Sequence, residues 1–136
     1  IMYAGGSEHP LRSPCLRLLE LVADGGIDAV TSAEVVQEIL HRFTALRLPE
    51  LGAAMADEAL DLFAPVLPVT HSAMQRMPAL VRRYPSLAAR DLVHVATCQE
   101  HGVVAIVSPD RGFDAVEEIT RIDPPDDAAI AAYGRR

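Results

Sequence analysis

Lysine is absent from this 136-residue chain, whose twelve Lys and Arg positions are all arginine. A chain without lysine has no side-chain amine for Schiff-base chemistry and no P-loop lysine for a nucleotide phosphate. Tryptophan is absent too, and the two cysteines, Cys15 and Cys98, are too few and too far apart for a disulfide scaffold or a paired-cysteine zinc site. We therefore expect a reducing, cytoplasmic location.

Long apolar runs are also missing, and no stretch approaches the ~18 consecutive apolar residues that span a bilayer. Half of the residues are apolar and 23% are charged, which is typical of a globular domain of this length. The net charge of −7 lacks the basic footprint of a protein held on nucleic acid by electrostatics alone. It suits a protein that gathers carboxylates around a divalent cation. We expect one domain over residues 1–136 and no membrane insertion.

Apolar periodicity predicts strands that alternate with helices. The predicted helices are residues 10–25, 31–46, 49–63, 71–84, 88–101 and 126–133, with a kink or split at Pro78, and the predicted strands are residues 27–30, 66–70, 103–107 and 119–122. The run 103–107 has the pattern of a strand buried on both faces of a parallel sheet. Residues 1–4 are predicted to be the tail of a further strand. Connections too long for hairpins favour an α/β fold, a three-layer α/β/α sandwich around a mostly parallel sheet.

Such a sheet gathers its functional groups beyond the carboxyl ends of its strands; Asp110 lies there by its position in the sequence, and the helix start that carries Asp91 can reach the same edge. Asp110 follows the run 103–107 after Ser108-Pro109, with a plain turn or a cap on the Gly112 segment as the structural alternative. Asp91 lies in the first turn of a helix that is apolar all round. There the helix dipole alone stabilises a carboxylate by ~0.3–1 kcal/mol, so Asp91 also has a structural alternative.

A third acid has two candidates on one helix. Glu38 lies at the border of the apolar stripe of the helix at residues 31–46, and Glu34 lies one turn earlier. Thr31 with Glu34 forms a capping-box pattern, which accounts for Glu34 and leaves Glu38 as the candidate. The alternative for Glu38 is a solvated surface glutamate.

His94 and Cys98 share a helix face with Asp91, as in a one-helix zinc site. No other Cys or His pair has metal spacing, and on a buried helix these residue types are ordinarily packed in the core. No Gly-x-Ser-x-Gly motif occurs either. We therefore expect neither a zinc site nor a side-chain nucleophile.

Four segments together resemble the PIN-domain ribonucleases, and more narrowly the VapC-type toxins of bacterial toxin–antitoxin pairs. The run IMYA resembles the family's segment after its first Asp-x-Asn motif, TSAEVVQEIL the segment with the second acid at Glu38, AARDLVHVATCQEHG the segment with the third at Asp91, and IVSPDRGFDAVEEITRIDP the segment with the last at Asp110. The resemblance implies that Ser108 helps to orient the site. The resemblance also implies that Asp114 supports the metal ligands without binding the metal itself. The alternative is that Asp114 is a plain surface charge.

The resemblance also implies a first acid a few residues before Ile1, so we expect the first strand of the fold to be truncated in this chain. It implies a Mg²⁺- or Mn²⁺-dependent endonuclease that cuts single-stranded RNA, with Glu38, Asp91 and Asp110 as catalytic and metal-binding residues. A catalytically inactive binding module of the same fold and a metal-dependent phosphatase of another α/β fold are the alternatives.

The resemblance to this type of toxin implies that the chain binds a VapB-type antitoxin and assembles as a homodimer. The helices at residues 10–25 and 31–46 together offer more apolar surface than one face of a small sheet can bury. We expect part of this set to form a groove for an amphipathic antitoxin helix, with core packing as the alternative. The set is Leu16, Leu19, Val36, Leu40 and Phe43.

Overall fold

The computed structural model describes residues 1, 3–5 and 8–134. These residues belong to two structural units, Ile1–Val66 with Pro124–Arg136, and Leu67–Asp123. In chain order the elements are α1 (Arg12–Ala23), α2 (Ala33–Ala45), α3 (Pro49–Leu62), α4 (His71–Arg83), α5 (Ala89–His101), β1 (Ala105–Val107), a short 3-10 helix (Arg111–Ala115), β2 (Thr120–Ile122) and α6 (Asp127–Ala131). The predicted helices are confirmed, with ends shifted by a few residues.

The first unit has its core between α2 and α3. Its buried members are Ile39, Phe43, Met55, Ala56 and Ala59. The two helices approach so closely at Gly52 that a Cβ there would lie 2.7 Å from the Phe43 Cβ, and only glycine avoids this clash. Apolar residues at helical spacing, together with Gly52, therefore determine how α2 packs against α3.

The second unit contains α4, α5 and a parallel sheet of β1 and β2, whose register pairs Ile106 with Arg121. One apolar core joins α4 and α5 to the 3-10 helix, with members that include Leu80, Leu92, Val95, Phe113 and Val116. Gly102 ends α5 in the left-handed conformation, with a φ of 67°. The helix-rich chain with its parallel strands agrees with the α/β class expected from the sequence.

Two strand predictions are wrong in the described residues. Residues 27–30 form no strand, and only Ile27 pairs, in an antiparallel bridge with Gly134. Residues 66–70 form no strand either; Pro68 has no N–H to donate to a ladder, and Thr70 Oγ1 instead caps α4 by accepting from the Ala73 N–H at 3.0 Å. In the predicted strand tail at residues 1–4, Tyr3 and Ala4 form a turn, and Met2 lies outside the described residues.

Two further expectations differ from the structure. Of the kink or split predicted at Pro78, the split is wrong, because α4 continues through this residue and buries Ala73 before it and Leu80 after it. Burial of the strand at residues 103–107 on both faces is also wrong, since Val107 is 40% exposed. In the described residues β1 pairs with β2 alone, and a two-stranded sheet offers few neighbours to cover it.

Candidate functional site

Asp110 lies just beyond the carboxyl end of β1, in a turn that is fixed by two hydrogen bonds. Its backbone N–H donates to Ser108 Oγ at 3.1 Å, and its Oδ1 accepts from the backbone N–H of Gly112 at 2.8 Å. The carboxylate thereby caps the 3-10 helix while the residue remains exposed. The cap that the sequence offered as an alternative is present, and it uses Oδ1.

Ser108 connects this turn to the sheet. Its backbone N–H donates to the Ile122 carbonyl at 3.0 Å, extending the β1–β2 ladder by one bond. Its side-chain oxygen then holds the Asp110 N–H. Ser108 is thus in direct contact with Asp110, the residue that it is expected to orient.

Arg121 joins three groups behind the turn. Its Nε donates to Asp114 Oδ1 at 2.6 Å, its Nη1 donates to the Ser108 carbonyl at 2.9 Å, and Nη1 lies 3.7 Å from Asp123 Oδ2. Only 11% of the Arg121 side chain is exposed. The hydrogen bond to Asp114 raises the pKa of the Arg121 guanidinium, so the group stays charged.

Sequence reasoning missed Arg121 as a site residue. The available signal was a charged side chain in the middle of a three-residue strand, Thr-Arg-Ile, directly before Asp123. Nothing in that pattern says that the arginine contacts a turn at residue 108, because the contact depends on the parallel register of β1 and β2.

Asp114, in the 3-10 helix, is held mainly by Arg121. Its side chain is 48% exposed, and its Oδ2 lies 3.9 Å from the Nε of Arg111, whose side chain is 87% exposed. The short contact of Asp114 therefore connects it to the sheet through Arg121, whereas its longer contact is with Arg111, which is largely in solvent.

Asp91 lies in the first turn of α5 and is half-buried. Its helix packs tightly, and Leu92, Val95 and Ala96 have no exposed surface. Within the described part of the chain, no hydrogen bond or salt bridge reaches the Asp91 carboxylate. The positive end of the helix dipole favours its charge and leaves its oxygens available to a ligand.

The start of α5 and the segment after Asp110 share one core. Leu87, just before α5, is buried in the same cluster as Phe113 of the 3-10 helix. A Cβ placed at Gly112 would be in ordinary contact with the Leu87 Cδ2 at 3.8 Å. Asp91 and Asp110 therefore come from adjoining segments of the second unit.

Oxygen donors on these segments suit a hard divalent cation. Mg²⁺ ordinarily takes one or two carboxylates and keeps several waters, a donor number that Asp91 and Asp110 supply. Oδ2 of Asp110 accepts no hydrogen bond from the described residues. No group of three or more His, Cys, Asp or Glu that could hold a metal occurs within residues 1, 3–5 and 8–134. The oxygen donors of Asp91 and Asp110 are nevertheless of the type that binds the cation implied by the resemblance.

His94 and Cys98 do not form a zinc site with Asp91 in the described residues. The Cys98 side chain packs against the core of the second unit, and burial raises the pKa of its thiol. A raised pKa disfavours the thiolate that zinc requires. The interpretation of Cys98 as a packed core residue agrees with this placement.

Glu38 and Glu34 lie on α2 in the first unit, and both are half-buried. The predicted capping box is wrong, because Ser32 and not Thr31 occupies the N-cap and no side chain caps the helix. Glu34 therefore lies at the second helical position, one residue short of the position from which it would complete a box. The structural explanation that remains for Glu34 is the favourable interaction of its negative charge with the positive end of the helix dipole.

The apolar set expected to form a groove on α1 and α2 is divided in the structure. Phe43 is buried in the core of the first unit, so its place in the groove is wrong. It turns inward because α3 packs against it through Gly52. Leu16 and Leu40 are 39% and 41% exposed, whereas Leu19 and Val36 are half-buried.

Comparison with known proteins gives consistent matches. The profile of the PIN domain matches residues 1–119. VapC ribonuclease Mb1869c of Mycobacterium bovis and ribonuclease VapC13 of Mycobacterium tuberculosis are each 36% identical over 121 residues, which cover 89% of this chain and 92% of theirs. Ribonuclease VapC7 of Mycobacterium tuberculosis is 31% identical over 140 residues, covering all of this chain and 94% of its own. No solved structure matches significantly. Among the described helices, none has the length and apolar character that a membrane crossing requires.

Proposed function

This chain belongs to the PIN domain family and is of the VapC ribonuclease type, and on that premise we propose that it is a metal-dependent endoribonuclease that acts as the toxin of a toxin–antitoxin pair. The observation that carries the proposal is the matched span, residues 1–119, which contains both Asp91 and Asp110. The family membership excludes the alternative of a phosphatase with another α/β fold.

Asp91 and Asp110 are the proposed ligands of the cation, Mg²⁺ or Mn²⁺. Two observations support this assignment: the two acids come from adjoining segments of the second unit, and each has a carboxylate oxygen that accepts no hydrogen bond from the described residues. Asp91 and Asp110 would hold the cation, whose Lewis acidity would lower the pKa of a water molecule and offset negative charge on the phosphate. Removal of the cation with EDTA is expected to stop cleavage of RNA.

The remaining groups of this segment position the ligand or attract the substrate. Ser108 holds the Asp110 backbone, and Gly112 donates to its carboxylate. Arg111, next in the chain and 87% exposed, is a cation for an RNA phosphate beside the site. A single-stranded substrate suits this arrangement, because the phosphates of an unpaired strand can approach an exposed turn directly.

Glu38 enters the proposal as the third acid on the resemblance of its segment alone. A half-buried carboxylate on α2 is compatible with that role. Glu34 is the competing residue, because it belongs to no capping box and so lacks the structural role that the local pattern predicted for it.

The decisive experiment replaces Asp91 or Asp110 by Asn, which keeps the shape and removes the charge. Asn retains a side-chain oxygen that can accept from the Gly112 N–H, so the 3-10 helix stays capped in Asp110→Asn. We expect each variant to lose at least about 100-fold in the rate of Mg²⁺-dependent RNA cleavage, more than outer partners of a metal site usually contribute. Asp57→Asn, an exposed acid on α3, is the matched control.

Wild-type rates in both site variants would reject the assignment of the ligands. Loss of a cooperative unfolding transition in both would point to a structural role instead. Mn²⁺ in place of Mg²⁺ in the same assay shows which cation supports the faster reaction.

A VapB-type antitoxin is the proposed protein partner, and a homodimer is the proposed assembly. Leu16 and Leu40 offer exposed apolar surface on α1 and α2 for an amphipathic segment, and an arginine of the partner would suit an acidic site. Co-expression with the neighbouring small gene should give a complex that survives purification and relieves toxicity. If expression of the chain alone leaves the host unharmed and no such partner binds, the toxin role fails while the nuclease role stands.

A further inference from the structure

We propose that Arg121 is a positioning residue that holds the Asp110 carboxylate ready for the cation. This inference rests on the proposed function, since it assigns Asp110 a metal. Its basis is one side chain, 11% exposed, that contacts three parts of the second unit near the carboxyl ends of β1 and β2.

The first contact fixes the backbone of the turn. Arg121 Nη1 donates to the Ser108 carbonyl at 2.9 Å, while the Ser108 N–H is bonded to the Ile122 carbonyl at 3.0 Å. Both polar backbone groups of Ser108 are thus tied to β2. The Ser108 hydroxyl in turn accepts from the Asp110 N–H, so the restraint reaches Asp110 through a single residue.

The second contact fixes the other side of Asp110. Arg121 Nε donates to Asp114 Oδ1 at 2.6 Å, a short charge-assisted bond that ties the 3-10 helix to the sheet. Gly112, whose N–H donates to Asp110 Oδ1, lies in that helix. Asp110 is therefore held between two segments, and Arg121 bonds to both.

The charges at this point make the arrangement depend on arginine. Asp114 and Asp123 are both within 4 Å of the Arg121 guanidinium, at 2.6 and 3.7 Å. Without a cation between them, their charges and that of Asp110 would accumulate at one end of a short sheet. A lysine keeps one positive charge but cannot donate from two directions in a rigid plane. In this scheme Asp114 acts by holding Arg121.

The test is direct titration of the intact chain with Mn²⁺ by calorimetry, without RNA. Removal of partners that orient a metal ligand typically costs 10–100-fold in metal affinity, so Arg121→Met should raise the Mn²⁺ dissociation constant by about 10-fold. Arg121→Lys should recover part of this loss. Asp114→Asn, at a residue 48% exposed, should shift the constant in the same direction by a smaller factor.

Arg83→Met is the matched control. Arg83 also bonds two acids of the second unit, Glu117 and Glu118, but it has no bond to residues 108–114. We expect its Mn²⁺ dissociation constant to equal that of the wild type. A variant that merely unfolds would bind fewer ions per chain at an unchanged constant, which separates a structural loss from a positioning effect.

An unchanged constant in both Arg121→Met and Asp114→Asn overturns the inference, as does an equal shift in Arg83→Met. Absence of Mn²⁺ binding by the wild type overturns the inference and the metal-dependent function together. If the variants shift as expected but the wild type cleaves no RNA, the positioning role stands and the proposed function fails.

Discussion

Asp91 and Asp110 are held by two different kinds of contact, although their segments adjoin. Asp91 is carried by a helix whose neighbouring residues Leu92 and Val95 are completely buried, and no described polar group bonds its carboxylate. Asp110 is exposed and stands in a turn fixed by hydrogen bonds: its N–H donates to Ser108 Oγ, its carboxylate accepts from the Gly112 N–H, and Arg121, one step away, donates to the Ser108 carbonyl. One acid is placed by apolar packing and the other by a polar network.

The difference shows how the proposed site would combine rigidity with accessible charge. Packing fixes the α5 backbone and leaves the Asp91 oxygens without a polar partner among the described residues, which suits a metal ligand. The network fixes the Asp110 turn but uses one of its carboxylate oxygens as a cap. Perturbations of the core and of the network should therefore have effects of different size and kind.

Truncation of the core under Asp91 should produce the largest change in stability. Leu92 has no exposed surface, and Leu→Ala at buried sites costs about 2–5 kcal/mol because transfer and cavity terms add. We expect Leu92→Ala to lower the free energy of unfolding by that amount in urea titrations. Val107→Ala, at a strand position 40% exposed, is the control and should cost much less. Equal losses would mean that the α5 core does not dominate the second unit.

The choice between the two acids of α2 tests whether the site extends beyond these two segments. Glu38→Gln should lower RNA cleavage by about 100-fold if it supplies a metal ligand, at the upper end of the range for groups around a metal. Glu34→Gln, one turn away on the same helix, should cleave at the wild-type rate. The reverse result would assign the third acid to Glu34.

The sequence could predict the helices and the position of both acids, because these depend on local pattern. Apolar spacing predicted α5 with Asp91 in its first turn, and the apolar run before Ser108 predicted a strand that ends ahead of Asp110. The polar network could not be predicted in the same way. Arg121 reaches Ser108 across 13 residues of sequence, and only the pairing of Ile106 with Arg121 brings them together.

The errors have the same origin. Residues 27–30 and 66–70 have strand-like composition, but a strand exists only where a neighbour supplies the other half of the ladder. The Thr31 capping box failed by one residue, because Ser32 is an equally suitable N-cap type. Neither choice is determined by the local residues alone.

Loss of one bond in the network should have a smaller effect than loss of core packing. Ser108→Ala removes the acceptor of the Asp110 N–H, and one hydrogen bond contributes about 0.5–1.5 kcal/mol net. We expect a decrease of that size in the free energy of unfolding, together with weaker Mn²⁺ binding. Ser72→Ala, which also removes one hydroxyl bond in the second unit, should leave Mn²⁺ binding unchanged. If both variants bind Mn²⁺ like the wild type, Ser108 is structural.

The smallest expected effect concerns the C-terminal end of α5. There Glu100 is held by a surface ion pair with Arg76, and not by core packing or by the network around Asp110. Hydrogen bonds from Ser72 and then Arg76 hold the pKa of the Glu100 carboxyl below its ordinary value. A carboxyl with a lowered folded-state pKa stabilises the fold above its unfolded pKa, and this contribution is lost as pH falls through the folded value. The melting temperature of the wild type should therefore slightly exceed that of Glu100→Gln near neutral pH, and the difference should disappear between about pH 5 and pH 3. Glu58→Gln on α3, an exposed site, is the control, and a difference that grew on acidification would show that the pair does not act through the charged carboxylate.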